Sequence, residues 1–178
     1  MMRDGDKLAS FRVLGRLWTC CAIAAGNYWS SATVRPGRQS RRRLASLGRA
    51  CIHYAGRRLA EELPQFYAPA DLLVWPAINE AYGMALLEAQ AAGVPVVAGA
   101  TGGVPTVVAG DRTGLLTVPG DAGDFAAAVR ALLDDPARRR KMGDTAKELI
   151  AEDHDIGTAA RILDRTVHDA ANRHRRLQ

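Results

Sequence analysis

Between Leu72 and Val97 the chain spells out a strand, a loop, a helix and a second strand, and no other stretch restricts the fold as much. Leu72-Leu73-Val74-Trp75-Pro76 is a short continuous apolar run, the pattern of a parallel strand buried on both faces. Asn79 to Tyr82 read as a loop, and Gly83 opens a helix that Ala-rich residues carry to Ala92. Gly93 is a C-terminal cap signal, Pro95 just beyond it is a stop, and Val96-Val97-Ala98 is the next strand. The expectation is therefore an α/β domain with a parallel sheet flanked by helices.

The same stretch carries chemistry. Glu80 and Glu88 stand eight residues apart around the start of the helix. A helix N-terminus presents unpaired backbone N–H groups and a partial positive charge, a natural seat for a diphosphate. Gly83 lets an anion approach the backbone with no Cβ in the way. Each carboxylate has two acceptor oxygens and takes two hydroxyl donors at once, which suits a sugar. Two glutamates at this spacing also occur on helices merely for solubility, so the surrounding frame decides.

That frame resembles the donor-binding half of the family 4 glycosyltransferases. Leu63-Pro64-Gln65-Phe66-Tyr67-Ala68-Pro69-Ala70-Asp71 resembles the family's helix leading into the strand, and Glu80 and Glu88 match its Glu-x7-Glu element. Thr101-Gly102-Gly103-Val104-Pro105 is similar to its paired glycines beside the donor phosphates, and Thr113-Gly114-Leu115-Leu116-Thr117-Val118-Pro119-Gly120-Asp121 to its Gly-Leu-Leu strand and turn. The likeness runs roughly from Tyr54 to Val167. It implies one Rossmann-like half of a two-domain GT-B architecture. The implied reaction moves a sugar from a nucleoside-diphosphate-sugar to an acceptor hydroxyl, with retention at the anomeric carbon and no metal or other cofactor. By the same resemblance Glu80 is the catalytic residue that orients the transferred sugar, and Glu88 accepts hydrogen bonds from the ribose. Gly83, Met84, Gly102 and Gly103 line the donor. Gly5-Asp6-Lys7-Leu8-Ala9-Ser10-Phe11-Arg12-Val13-Leu14 resembles the family's lysine-bearing loop and helix start, with Lys7 on the diphosphate. The arginine usual five positions earlier falls on Met2, and Thr106 stands where many members carry an acid. A plain turn at Gly102-Gly103 and a solvated Lys7 remain the alternatives.

The 178 residues suffice for one domain with a proper core and are too few for both halves of such an enzyme. Net charge is +5, and it is unevenly distributed: Arg16 to Cys51 hold seven arginines and no Asp, Glu or Lys, so the remainder carries −2. That segment also contains all three cysteines, Cys20, Cys21 and Cys51, and two of the three tryptophans. Three readings compete for it. Arginines interleaved with Trp suit nucleic acid, yet no companion motif is present. Leu17 to Ala25 imitates a signal peptide, yet follows an acid-bearing, helix-like start. The third reading is translation in a shifted frame. Taking the last base of each codon with the first two of the next, Asn27 into Tyr28 and Tyr28 into Trp29 both give Leu. Trp29 into Ser30 then gives Val where the serine uses a TC codon, and G/C-ending codons continue to Val-Gly-Asp-Gly-Pro. The result resembles the family's strand and Gly-rich turn. His53-Tyr54-Ala55-Gly56 then looks like the resumed frame, a strand end before a helix from Leu59 to Ala70. The cysteines form neither a zinc pattern nor a disulfide framework.

Further on, Asp121 or Asp124 caps a helix through Leu133, with Phe125, Val129, Leu132 and Leu133 at helical spacing. Asp135-Pro136 starts another to about Ala151, its Arg138-Arg139-Arg140-Lys141 cluster reading as a solvated face. A last helix from about Ile156 carries Ile162, Leu163 and Val167 and, by the resemblance, crosses to the absent partner domain. His154, His168 and His174 read as surface. The expected organisation is 1–15 as the start of the nucleotide-sugar-binding domain, 16–52 as the aberrant segment, 53–170 as the remainder, and 171–178 as a frayed tail. Expected partners are a nucleotide-sugar donor, an acceptor of unspecified class (glycan, lipid or small molecule) and an N-terminal acceptor domain outside the chain, with no nucleic acid. No run of about 20 apolar residues predicts a membrane span. The expected location is the cytoplasm, with peripheral contact to the inner face of the membrane left open. Two rival functions stand beside transfer: a non-catalytic nucleotide-sugar-binding remnant, and a sugar-nucleotide epimerase of the same fold, against which the two-glutamate element argues.

Overall fold

The computed structural model of the chain describes residues 9–10, 12–14, 28–30, 52–54 and 58–175. Strands β1 (Tyr28–Ser30) and β2 (Ile52–Tyr54) pair in parallel, Tyr28 opposite Ile52. Strands β3 (Leu73–Trp75), β4 (Val96–Gly99) and β5 (Gly114–Thr117) form a second parallel sheet in that order, Leu73 opposite Val96 and Val96 opposite Gly114. The helices are α1 (Pro64–Tyr67), α2 (Met84–Ala91), α3 (Val104–Val107), α4 (Ala122–Leu133), α5 (Pro136–Asp153) and α6 (Ile156–Arg175), and residues 9–10 and 12–14 are helical as well.

The apolar runs are continuous because the central sheet is covered twice. Successive strand side chains point to opposite faces. Val97 joins Val13, Leu14, Phe125, Val129, Leu132 and Met142 on one side, whereas Val96 and Ala98 join Leu86, Ala89, Val104 and Val108 on the other. All four residues of β4 are buried. The expected parallel sheet flanked by helices is what the chain forms. Val13 and Leu14 show that the N-terminal helical residues belong to the core of this domain.

The predicted caps appear where their chemistry places them. Asp121 is the N-cap of α4 and accepts from the N–H groups of Gly123 and Asp124 at 2.8 and 3.0 Å, while Asp124 turns back to accept from Val118 N. Asp135 caps α5 through Arg138 N at 2.9 Å. Three expectations need correction. The helix foreseen from Leu59 to Ala70 is split into a 3-10 turn, Ala60–Glu62, and α1, because Pro64 has no N–H to donate and its ring clashes with the preceding turn. The arginine cluster is only partly a solvated face: Arg138 pairs with Asp111, and Arg139 donates to Asp71 and to the carbonyls of Leu132 and Leu133, closing the end of α4. Residues 171–175, expected to fray, are helical, since α6 continues to Arg175. Ile156, Ile162, Leu163 and Val167 of α6 are exposed, as are His154 and His168. Lys7, the three cysteines and the Arg41-Arg42-Arg43 run lie outside the described residues. No helix among the described residues is long and apolar enough to cross a membrane.

Candidate functional site

Glu80 lies in the connection that leaves the C-terminal end of β3, the side on which open α/β sheets receive ligands, and Glu88 lies on the helix that follows. The chain leaves β3 through Pro76 and Ala77 and reaches α2 at Gly83. This connection is tied down from three directions. Ile78 N donates to the hydroxyl of Ser10 at 3.0 Å, Thr101 Oγ1 donates to the Ala77 carbonyl, and Gly103 N donates to the Ala81 carbonyl at 2.9 Å. Ser10 and Ala77 are completely buried. Ala77 and Asn79 have φ of 53° and 52°, the left-handed region, which costs an L-residue about 1–2 kcal/mol. Such conformations persist where the surroundings over-determine them.

Glu80 is half-buried in this connection. Its Oε2 accepts from the Trp75 indole N–H at 3.4 Å, the residue that ends β3. Gly83 then caps α2 with φ of 95°, offering no side-chain cap, and no acid occupies the first turn. Leu86 N and Leu87 N both reach the Gly83 carbonyl, which leaves the N–H groups of Met84 and Ala85 without an intrahelical acceptor. The Met84 side chain is exposed beside them. Glu88 stands about one turn into α2 on its exposed face, where its Oε2 accepts from the Tyr67 hydroxyl at 3.1 Å. Burial, and then the neighbouring Glu88 carboxylate, push the Tyr67 phenol well above its ordinary value, so it remains a donor.

Gly102 and Gly103 sit against the same connection. Gly102 has φ of 50°, and a Cβ there would lie 2.2 Å from the Glu80 carbonyl oxygen; one on Gly103 would lie 2.7 Å from that of Ala81. Their glycine character is thus required by close backbone approach, whatever else they contact. Thr106 donates to the Gly103 carbonyl at 2.6 Å and closes the single turn of α3. The structure therefore brings Glu80, Gly83, Met84, Gly102 and Gly103 to one edge with Glu88 on the adjoining helix face. Ser10, Tyr67, Trp75 and Thr101 complete the support, and none of them announced that role in the sequence. A separate crevice of about 100 Å³ is lined by Gln90, Thr106, Thr113, Asp153 and His154 among others, and neither glutamate borders it.

Residues 39–149 match the family described as glycosyl transferases group 1. Among curated relatives, the chain is 44% identical over 95 residues to the D-inositol 3-phosphate glycosyltransferase of Corynebacterium aurimucosum, covering 53% of this chain and 23% of that one. It is 42% identical over 119 residues to D-inositol 3-phosphate glycosyltransferase 2 of Catenulispora acidiphila, covering 65% and 28%. The chain thus spans about a quarter of the length of these relatives. Among solved structures, sucrose-phosphate synthase from Thermosynechococcus elongatus superposes with a TM-score of 0.79 at 28% identity, over 95% of this chain and 43% of that one. Anabaena HepE in complex with UDP superposes at 0.78 and 22% identity, over 89% and 44%, a likeness of fold.

Proposed function

The chain belongs to the glycosyl transferases group 1 family, and on that premise we propose that it is the donor-binding half of a retaining family 4 enzyme. The reaction moves a sugar from a nucleoside diphosphate to an acceptor hydroxyl. One observation carries the reading: two carboxylates flank an uncapped, glycine-opened helix N-terminus at the ligand edge of a parallel sheet. Breaking the glycosyl–phosphate bond places negative charge on the departing diphosphate. The N–H groups of Met84 and Ala85, fixed in advance, stabilise that charge where it develops. Glu80 orients the sugar hydroxyls from the braced connection, and Glu88 accepts from the ribose. The resemblance assigns Lys7 to the diphosphate and assigns no metal to the step. UDP is the first probe, because HepE is seen with UDP and with UDP-glucose. The relatives' inositol phosphate is not carried over as acceptor, since the matched 95 and 119 residues cover about a quarter of each relative.

The reading includes a shifted frame within residues 16–52. The shifted frame writes Leu-Leu-Val across Tyr28–Ser30, an apolar run that suits the strand these residues form beside β2. Resequencing the gene tests this. An unbroken frame, shared by homologues with the same Arg-rich segment, contradicts it.

A second reading is binding of the donor without transfer. Donor hydrolysis and transfer assayed on this chain, beside a frame-corrected full-length protein and its Glu80→Ala variant, separate the two. Transfer by the long protein alone supports binding as the role of this chain. Transfer unaffected by Glu80→Ala contradicts the catalytic assignment.

A further inference from the structure

Glu88 is carried on an exposed helix face, where a glutamate side chain has rotamer freedom worth about 1.5–2 kcal/mol. A carboxylate left in that state loses this freedom each time it receives a ligand. Tyr67 removes part of the loss beforehand. It ends α1, 21 residues earlier in the chain, and its ring packs against the core cluster that contains Leu86 and Ala89 of α2. Its carbonyl is held by Ala70 N at 2.9 Å. The half-buried ring is therefore anchored on the same core as the helix bearing Glu88, and its hydroxyl donates to Oε2 at 3.1 Å. For folding, a hydrogen bond to so exposed a carboxylate contributes little. For ligand binding its effect is larger, because it fixes one oxygen of a carboxylate that has two acceptor oxygens.

We propose that Tyr67 is a positioning residue of the donor site, holding Oε2 of Glu88 so that the carboxylate is preset to accept the ribose hydroxyls of a nucleoside diphosphate. The proposal rests on the reading that Glu88 meets the ribose, and a double-mutant cycle separates the two. UDP and GDP are titrated calorimetrically into the 178-residue chain. The tighter binder and its 2′,3′-dideoxy analogue are then carried through Tyr67→Phe, Glu88→Ala and the double variant. Tyr67→Phe keeps the ring and its packing, so the melting temperature is expected to stay near that of the wild type.

Presetting one side chain corresponds to a loss of about three- to tenfold in nucleotide affinity for Tyr67→Phe. Glu88→Ala is expected to lose more, and the double variant to bind no worse than Glu88→Ala. Preference for the ribose over the dideoxy sugar is expected to fall in Tyr67→Phe. If Glu88→Ala weakens binding while Tyr67→Phe leaves it unchanged, the positioning role is overturned and the Glu88 assignment stands. An equal loss from Tyr67→Phe in the wild-type and Glu88→Ala backgrounds also overturns it, because Tyr67 then acts through general structure. If Glu88→Ala is silent, or neither nucleotide binds, the donor-site reading itself fails.

Discussion

Replacing Gly102 by Ala tests whether the connection carrying Glu80 is seated as described. Two costs are separable. A φ of 50° is unfavourable for any residue with a Cβ, by about 1–2 kcal/mol. The added Cβ would also lie 2.2 Å from the Glu80 carbonyl oxygen, so that backbone must retreat by on the order of 1 Å, and forced overpacking of this kind costs about 1–3 kcal/mol. The total of about 2–5 kcal/mol corresponds to a melting temperature lower by roughly 5–15 °C at this chain length. Gly120→Ala is the control: its φ is 83°, yet nothing lies within 4 Å of the added Cβ, so only the conformational cost of about 1–2 kcal/mol applies. Because Gly102 touches the carbonyl of Glu80 itself, the variant is also expected to weaken UDP-glucose binding more than UDP binding. Differential scanning calorimetry and paired titrations read both effects. Equal melting of the two variants, with the sugar contribution intact in Gly102→Ala, would refute the reasoning.

Other outcomes follow from the same contacts. Arg139→Ala removes charged donors from Asp71 and from two carbonyls ending α4, and is expected to cost about 1.5–3 kcal/mol in urea unfolding. Arg138→Ala, whose ion pair with Asp111 is mostly solvated, is expected to cost at most about 0.5 kcal/mol; equal losses would contradict the distinction. Because the folded protein holds the Tyr67 phenol above its ordinary pKa near 10, stability from this group is complete below that pH and is lost as pH rises beyond it. Tyr67→Phe is expected to flatten that alkaline decline, and identical pH profiles of unfolding would count against the shift. If the proposed donor chemistry needs no metal, a chelator leaves nucleotide affinity and any transfer unchanged, and loss restored by a divalent cation would overturn that part.

The β3–α2–β4 unit was legible because each boundary is written locally. Gly83, Gly93 and Pro95 punctuate it, and the doubly covered sheet makes β4 apolar at every position. The caps Asp121 and Asp135 were legible for the same reason. Pro64 marked the break between the 3-10 turn and α1, but the apolar pattern on either side concealed it. What holds the glutamates was not legible. Ser10 meets Ile78 across 68 residues, Thr101 meets Ala77 across 24, and Tyr67 meets Glu88 across 21. Such contacts arise from the tertiary fold and leave no local signature. Ala77 is the clearest case, since nothing in an alanine signals a left-handed backbone. The paired glycines point to phosphate only through the resemblance, and their close approach to the Glu80–Ala81 backbone is a tertiary contact with no local signature.

In the proposed function, the N-terminus of α2 and Glu88 together form a nucleoside-diphosphate seat. A structure of the chain determined with saturating UDP tests it most directly. Diphosphate oxygens are expected within about 2.7–3.2 Å of the N–H groups of Met84 or Ala85, and ribose hydroxyls on the Glu88 carboxylate. UDP bound elsewhere, with Glu88 facing only solvent and Tyr67, would contradict it.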